Sequence, residues 1–293
     1  MKTEDRLRVI FITPCVAESF FDTVKKGAAD ASKLMNVECT FSGTDDVDIE
    51  EQLRIVEDAI KLEYDGIVLS IIDPTAFDGA INTALTRGIP IIAFNVNARR
   101  RSKNGITEVC QDVYSAGKSL ALAVEDHIPV NGSALITLHS EGISALEDRY
   151  RGILEVLQKK RLSYERLITG VEPDKAADLI SGFLNANGEY KVILGTGQAD
   201  TEGAGLSIER SYADLNYFAA GFDLSPEIIR LIKKGTIYCT IDQQPYIQGF
   251  YPVVQLAQQC RLGLKPMNID SGAALITRQN VDEIAELSGQ NCR

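Results

Sequence analysis

Short apolar runs alternate along the chain with stretches whose apolar residues recur at helical spacing. The first run, Leu7–Thr13 (LRVIFIT), predicts a buried parallel strand, because such a strand is covered on both faces. Phe21, Val24, Ala28 and Ala31 follow at helical spacing and predict a helix with one buried face. The same succession predicts further strands at 37–41, 66–72, 90–94, 134–138, 167–169, 192–195, 217–220, 238–241 and 273–276.

Two Asx/Ser-Pro pairs predict helix starts between these strands. In Asp73-Pro74 and Ser225-Pro226 the first residue can cap the helix and the proline suits its first turn. Gly235 predicts the end of the second of these helices.

This alternation predicts an α/β fold made of parallel sheets with helices on both faces. The strands are too numerous for one comfortable sheet of this kind, so two doubly wound parallel-sheet lobes are the better packing. No low-complexity linker separates the halves, which favours hinge segments within regular structure over a flexible tether.

The charge balance limits the partners. With 30 Lys and Arg against 41 Asp and Glu, the net charge is −11, so nucleic acid is not expected as a partner. No apolar run is long enough to span a membrane, and the N-terminus MKTEDR lacks a signal-peptide pattern. Either the protein is cytosolic or an export signal has been removed.

The six cysteines include no C-x-x-C pair, so we expect most of them to be buried. Whether two of them form a disulfide is left open by the sequence.

The candidate ligand-binding residues are those that follow the predicted strands, because ligands of open α/β sheets bind beyond the carboxyl ends of the strands. The residues at these positions are mainly amides, carboxylates and aromatic rings, a set that suits a neutral, hydroxyl-rich ligand. They are Glu18, Phe20, Phe21, Asn95, Asn97, Gly197, Gln198, Asp223 and Gln243. His139 also follows a strand and could face a ligand or serve the structure. No phosphate-binding loop, zinc-protease or esterase motif is present, so we expect no enzyme activity, no cofactor and no metal.

Four local matches resemble the ribose-binding protein class of bacterial sugar-binding proteins, whose type I periplasmic-binding fold is shared with the effector domains of lac-repressor-type regulators. The resemblance runs from Leu7 to about Ile276. It rests on SFF with KGA at 19–28, GIPII at 88–92, AAGFD at 219–223 and TIDQQP at 240–245. Each match is weak alone, but their order and spacing are specific together.

The resemblance implies roles for individual residues. Phe20 and Phe21 would be aromatic walls of the site, and Arg149, Asp223 and Gln243 would bind the ligand. Departures are Glu18 where the family has Asn and Asn95-Val96 where it often has Asp-Arg, although Asn97 could compensate. These departures imply a ligand other than ribose itself.

The resemblance also implies an organisation and a function. One lobe would comprise 1–112 with 245–272, the other 113–244 with 273–293, joined near Asp112, Gln244 and Gly272. The expected function is a monomeric, periplasmic or extracellular solute-binding protein that closes around a small sugar or polyol and delivers it to the permease of an ATP-driven (ABC) importer. The alternative is a ligand-binding sensor domain of a receptor or transcriptional regulator. A hydrolase using Glu18 with Asp223 is a weaker alternative, since nothing else at the site supports acid–base work.

Overall fold

The computed structural model describes residues 6–17, 20–98, 106–129, 132–290 and 292–293. The chain forms two compact units. The first comprises Met1–Gln111, Gln244–Ser271 and Asn291–Arg293, and the second comprises Asp112–Gln243 and Gly272–Gln290. The sequence-based assignment placed 273–293 in the second lobe. The C-terminal residue groups instead with the first unit, where the Arg293 carbonyl accepts a hydrogen bond from Thr23 Oγ1 at 3.3 Å.

Strands and helices alternate through both units, as the periodicity predicts. In chain order the elements are β1 (Leu7–Thr13), α1 (Phe20–Met35), β2 (Val37–Gly43), α2 (Ile49–Lys61), β3 (Gly66–Ile71), α3 (Asp78–Thr86), β4 (Ile91–Asn97), β5 (Thr107–Cys110), α4 (Val113–Val124), β6 (Ser133–Leu138), α5 (Ser144–Lys159), β7 (Ser163–Ile168), α6 (Pro173–Ala186), β8 (Val192–Gly195), α7 (Gln198–Ser211), β9 (Phe218–Phe222), α8 (Pro226–Lys234), β10 (Ile237–Asp242), α9 (Pro245–Leu262), β11 (Ile269–Asp270), β12 (Ala274–Thr277) and α10 (Val281–Gly289). A 3-10 turn, Glu125–His127, follows α4.

The first unit is built on a sheet of order β11-β5-β4-β3-β1-β2, and its strand pairs are all parallel. Alternate residues of β1 face opposite sides, because side chains along a strand have a period of two. Phe11 packs with α1 and α9 on one face, and Ile12 packs with α2 and α3 on the other. Strands β5 and β11 were missed from the sequence, since both are short and largely polar.

The second unit has a sheet of order β12-β10-β9-β8-β6-β7. Four of its strand pairs are parallel, but β12 runs antiparallel to β10, with Asp242 opposite Ala274. The predicted purely parallel lobe is therefore corrected at one edge, where an antiparallel strand on a parallel sheet is common.

The two predicted helix starts have different outcomes. Ser225 caps α8 as predicted, since its Oγ accepts a hydrogen bond from the Ile228 N–H at 3.0 Å. Asp73 caps only a turn: its Oδ1 accepts from the N–H groups of Thr75 and Ala76 at 2.8 and 2.7 Å, and α3 begins later, at Asp78. An aspartate cap satisfies the nearest orphan donors but does not by itself continue the helix.

Helices α1 and α9 pack closely because glycines allow their backbones to meet. A Cβ atom at Gly249 would lie 1.9 Å from the Val24 carbonyl oxygen, and one at Gly27 would lie 2.2 Å from the Tyr246 carbonyl oxygen.

Over the described ranges, no helix combines the length and apolar character needed to cross a bilayer.

Candidate ligand-binding site

Backbone conformations with positive φ occur both after helices and near the carboxyl ends of strands. Among the described residues, eight other than glycine have positive φ. Four of these follow helices, at Asn36, Glu63, Arg161 and Asn216, and four lie at or just beyond strand ends, at Cys15, Asn95, Asp223 and Gln244. A left-handed residue is common where a helix ends, whereas the four near strand ends lie where ligands of open α/β sheets bind.

Three side chains meet at the carboxyl edge of the second sheet. Gln243, directly after β10, donates from Nε2 to Asp223 Oδ1 at 2.6 Å. Arg149, on α5, lies with Nη1 3.8 Å from Asp223 Oδ2. Residues distant in sequence thus form one polar cluster, as predicted for this unit. Whether the cluster binds a ligand stays a prediction at this point.

Arg149 is held in place by its surroundings. Its side chain is 4% exposed, its Nη1 donates to the Thr196 carbonyl at 2.9 Å, and its guanidinium lies 4.0 Å from the centre of the Phe222 ring. Burial lowers the pKa of Arg149, and the nearby Asp223 carboxylate opposes that shift.

Arg149 is buried, so it is not an arginine that lies along the helix surface beside Glu147 and Asp148. Asp148 pairs with Arg151, and Glu147 pairs with Arg166 at 2.6 Å. Arg149 therefore points into the strand ends instead of along the helix surface.

Asp223 sits in a left-handed turn immediately after β9, with φ of 68°. Its backbone is fixed by two bonds to β10: its N–H donates to the Ile241 carbonyl at 2.9 Å, and its carbonyl accepts from Thr240 Oγ1 at 2.8 Å. Aspartate and asparagine tolerate this conformation better than most residues. Ser225, and not Asp223, is the N-cap of α8.

Gly197 and Gln198 stand at the start of α7, with Gly197 as its N-cap and Gln198 as its first residue. Beneath them lies Asp200, fully buried, which accepts from the N–H groups of Thr196 and Gly197 at 2.7 and 3.0 Å. Burial raises the pKa of Asp200 to about 7, against the hydrogen bonds, which favour the charged form. Asp200 thus supports the loop that carries Gly197.

His139 follows β6 and completes this edge of the sheet. It is half-buried, and its Nδ1 lies 3.1 Å from Ser140 Oγ. A Cβ atom at Gly197 would lie 2.6 Å from His139 Cδ2, so the ring rests against the glycine. Burial is the largest cause lowering the pKa of His139; Arg149 acts in the same direction and Asp223 against it. The signal for His139 was its position after a strand, but it was not included among the predicted site residues.

The predicted aromatic pair in the first unit has two different environments. Phe20 is half-buried and packs edge-to-face on Phe21, with ring centres 5.2 Å apart. Phe21 is 3% exposed and belongs to the core, where its ring centre lies 6.4 Å from that of Phe94. The Phe21 ring therefore packs in the core of the first unit, whereas the resemblance makes it an aromatic wall of the site. Its contact with a ligand stays a prediction.

Asn95 and Asn97 lie within β4, which extends beyond the predicted strand end at Phe94. The register with β3 shifts so that Asn97 pairs with Ile71, and Asn95 takes a φ of 59° in this irregular stretch. Bulges of this kind redirect side chains near sites. The Asn97 amide donates to Glu108 Oε2 at 2.6 Å. Glu18, the remaining predicted residue, lies outside the described residues.

Comparison with known proteins gives the chain its relatives. The family model for the periplasmic binding protein domain matches residues 9–265. The chain is 26% identical over 289 residues to the xylose/arabinose-binding protein of Sulfolobus acidocaldarius, covering 94% of this chain and 72% of that one. It is 21% identical over 230 residues to the ribose import binding protein of Bacillus subtilis, covering 78% and 74%.

Solved structures show the same fold. A solute-binding protein from Burkholderia graminis in complex with D-arabinose superposes with a TM-score of 0.87 at 23% identity, over 96% of this chain and 98% of that one. A carbohydrate transporter from Acidothermus cellulolyticus in complex with myo-inositol superposes with a TM-score of 0.85 at 24% identity, over 99% and 100%. The predicted periplasmic-binding-protein fold is confirmed.

Proposed function

The chain belongs to the periplasmic binding protein domain family, and we propose that it is a solute-binding protein for a small sugar or polyol. The observation that carries the proposal is the cluster of Arg149, Asp223 and Gln243 at the carboxyl edge of the second sheet. The names of the sugar-binding relatives support the ligand class.

The chemistry of the cluster suits hydroxyl groups. An aspartate accepts hydrogen bonds from two adjacent hydroxyls, and an arginine offers a fixed fork of donors, so together they distinguish ring stereochemistry. In the first unit, the half-buried Phe20 ring would cover the C–H face of a sugar. Asp223 serves here as a hydrogen-bond acceptor, and the proposal includes no turnover of the ligand.

Binding would work by shifting a conformational equilibrium. If both units contribute contacts to one ligand, the ligand favours the arrangement in which all contacts form at once. The membrane permease of an ATP-driven importer would recognise and bind the protein in that arrangement. The protein would act as a monomer in the periplasm or outside the cell.

A thermal-shift screen against pentoses, hexoses and polyols tests the proposal. A ligand that binds only the folded state raises the free energy of unfolding by about 2.7 kcal/mol at 100 times its Kd. We expect one or a few related sugars to raise the melting temperature in a concentration-dependent way. A flat response across the panel would contradict the proposal.

A further inference from the structure

His139 stands beside the Arg149–Asp223–Gln243 cluster with one ring nitrogen available. Its Nδ1 lies 3.1 Å from Ser140 Oγ, and no described residue makes a hydrogen bond to its Nε2. The imidazole rests against Gly197, and the carbonyl of the preceding residue, Thr196, accepts a hydrogen bond from Arg149 Nη1 at 2.9 Å, which places His139 next to the cluster.

Gly197 gives the imidazole its space. A Cβ atom at position 197 would lie 2.6 Å from His139 Cδ2 and 3.0 Å from Nε2, closer than real Cβ contacts allow. Any residue but glycine at 197 would therefore displace the ring. Gly197 is extended, with φ of −144°, so backbone conformation does not require glycine there. The close approach of the ring is what requires it.

We propose that His139 is a specificity-determining residue of the sugar site: its ring occupies the space that Gly197 leaves, and its Nε2 hydrogen-bonds one ring hydroxyl of the ligand. This rests on the proposed function. Either tautomer of the imidazole serves, because a hydroxyl both donates and accepts hydrogen bonds. Burial lowers the pKa of His139, which keeps the ring neutral at neutral pH and limits repulsion from Arg149.

Deoxy sugars test the contact. The sugar with the largest thermal shift, and its monodeoxy analogues, are titrated into the wild type and His139→Ala by calorimetry. We expect His139→Ala to weaken the parent sugar about tenfold, near the upper end for one hydrogen bond between neutral groups. One deoxy analogue should bind both proteins with nearly equal affinity, since it lacks the hydroxyl that His139 contacts. Should His139→Ala not fold, His139→Leu, which fills the space without a hydrogen-bonding group, carries the same comparison.

Gly197→Ala tests the position of the His139 ring independently. Because the new methyl group displaces the ring, Gly197→Ala should reproduce the loss caused by His139→Ala. The double variant should be no weaker than the poorer single variant, a strong departure from additivity. His127→Ala is the matched control: His127 is exposed and hydrogen-bonds Tyr238 instead, so its loss should leave affinity unchanged.

The failures are distinguishable. If the wild type binds no sugar, both this inference and the proposed function are wrong. If the wild type binds a sugar and the affinity and deoxy profile of folded His139→Ala match it within twofold, only the role of His139 is overturned.

Discussion

Replacing Asp223 by asparagine removes one charge from the cluster while keeping its shape. Asparagine tolerates the φ of 68° as aspartate does, so the turn after β9 should persist. The attraction between Asp223 and Arg149, 3.8 Å apart, is about 4 kcal/mol at an effective dielectric constant of about 20. Part of this is offset, because the neutral amide costs less to desolvate.

We therefore expect Asp223→Asn to weaken sugar binding by about 1.5–3 kcal/mol, or roughly 10- to 150-fold, the range for hydrogen bonds to charged groups. Stability should fall too, by about 1–3 kcal/mol, because Arg149 is buried and loses its charge partner. Calorimetric titration measures the affinity, and urea unfolding measures the stability.

The matched control is Ser225→Ala, two residues away. It removes the α8 cap and should cost about 0.5–2 kcal/mol of stability without changing affinity. If Asp223→Asn behaves like this control, with reduced stability and affinity within twofold of the wild type, Asp223 is structural and the site is misplaced.

Three further predictions address the aromatic pair, an ion-pair cluster and the helix contact. Phe20→Ala should weaken sugar binding by about 1–3 kcal/mol in calorimetry. Phe21→Ala should instead lower the free energy of unfolding by about 3–5 kcal/mol in urea, because its ring lies in the core. Equal losses of stability in both variants would contradict the assignment of Phe20 to the site and Phe21 to the core. Hydrogen bonds from Arg230 and Lys234 lower the pKa of Glu209 to about 2, so its contribution to stability is present above about pH 4.5 and is lost as pH falls toward 2. The difference in melting temperature between the wild type and Glu209→Gln should accordingly disappear as the pH falls from about 4.5 to 2. A difference that does not depend on pH would contradict a stabilising role of the charged Glu209. Gly249→Ala should destabilise the protein by about 1–3 kcal/mol, because the new methyl group meets the Val24 carbonyl. Gly182 has open space around it, so Gly182→Ala should stabilise the protein by about 0.4–1 kcal/mol. Equal changes in the free energy of unfolding for both variants would contradict the close packing of α1 on α9.

Much of the fold could be predicted because buried parallel strands have a simple sequence signature. Leu7–Thr13 and Val192–Gly195 were located to the residue, since both are apolar runs bounded by polar residues. Strands β5 and β11 have no such signature: β5 has four residues, of which two are apolar, and β11 has two residues that pair with β5 from a position distant in sequence. The antiparallel direction of β12 is likewise a property of the whole sheet.

The candidate site was partly predictable for a related reason. Asp223 and Gln243 directly follow apolar strands, so topology alone brings them to one edge. Arg149 came from the family resemblance, although its helix also separates it from Arg151: Arg149 falls on the apolar face, three residues after Leu146 and four before Ile153, and Arg151 is exposed. The role of His139 depends on the absence of a side chain at Gly197, a contact that strand order cannot show. The core position of Phe21 had a signal in the helical spacing of Phe21, Val24, Ala28 and Ala31, whereas the family resemblance favoured a place in the site.

Calorimetric titration of the purified protein with the sugar that gives the largest thermal shift tests the central claim most directly. The account predicts one binding site per chain, loss of about 10-fold or more in affinity for Asp223→Asn, and recovery of the sugar chemically unchanged by chromatography. No saturable heat with any sugar or polyol, or conversion of the sugar to a product, would contradict it.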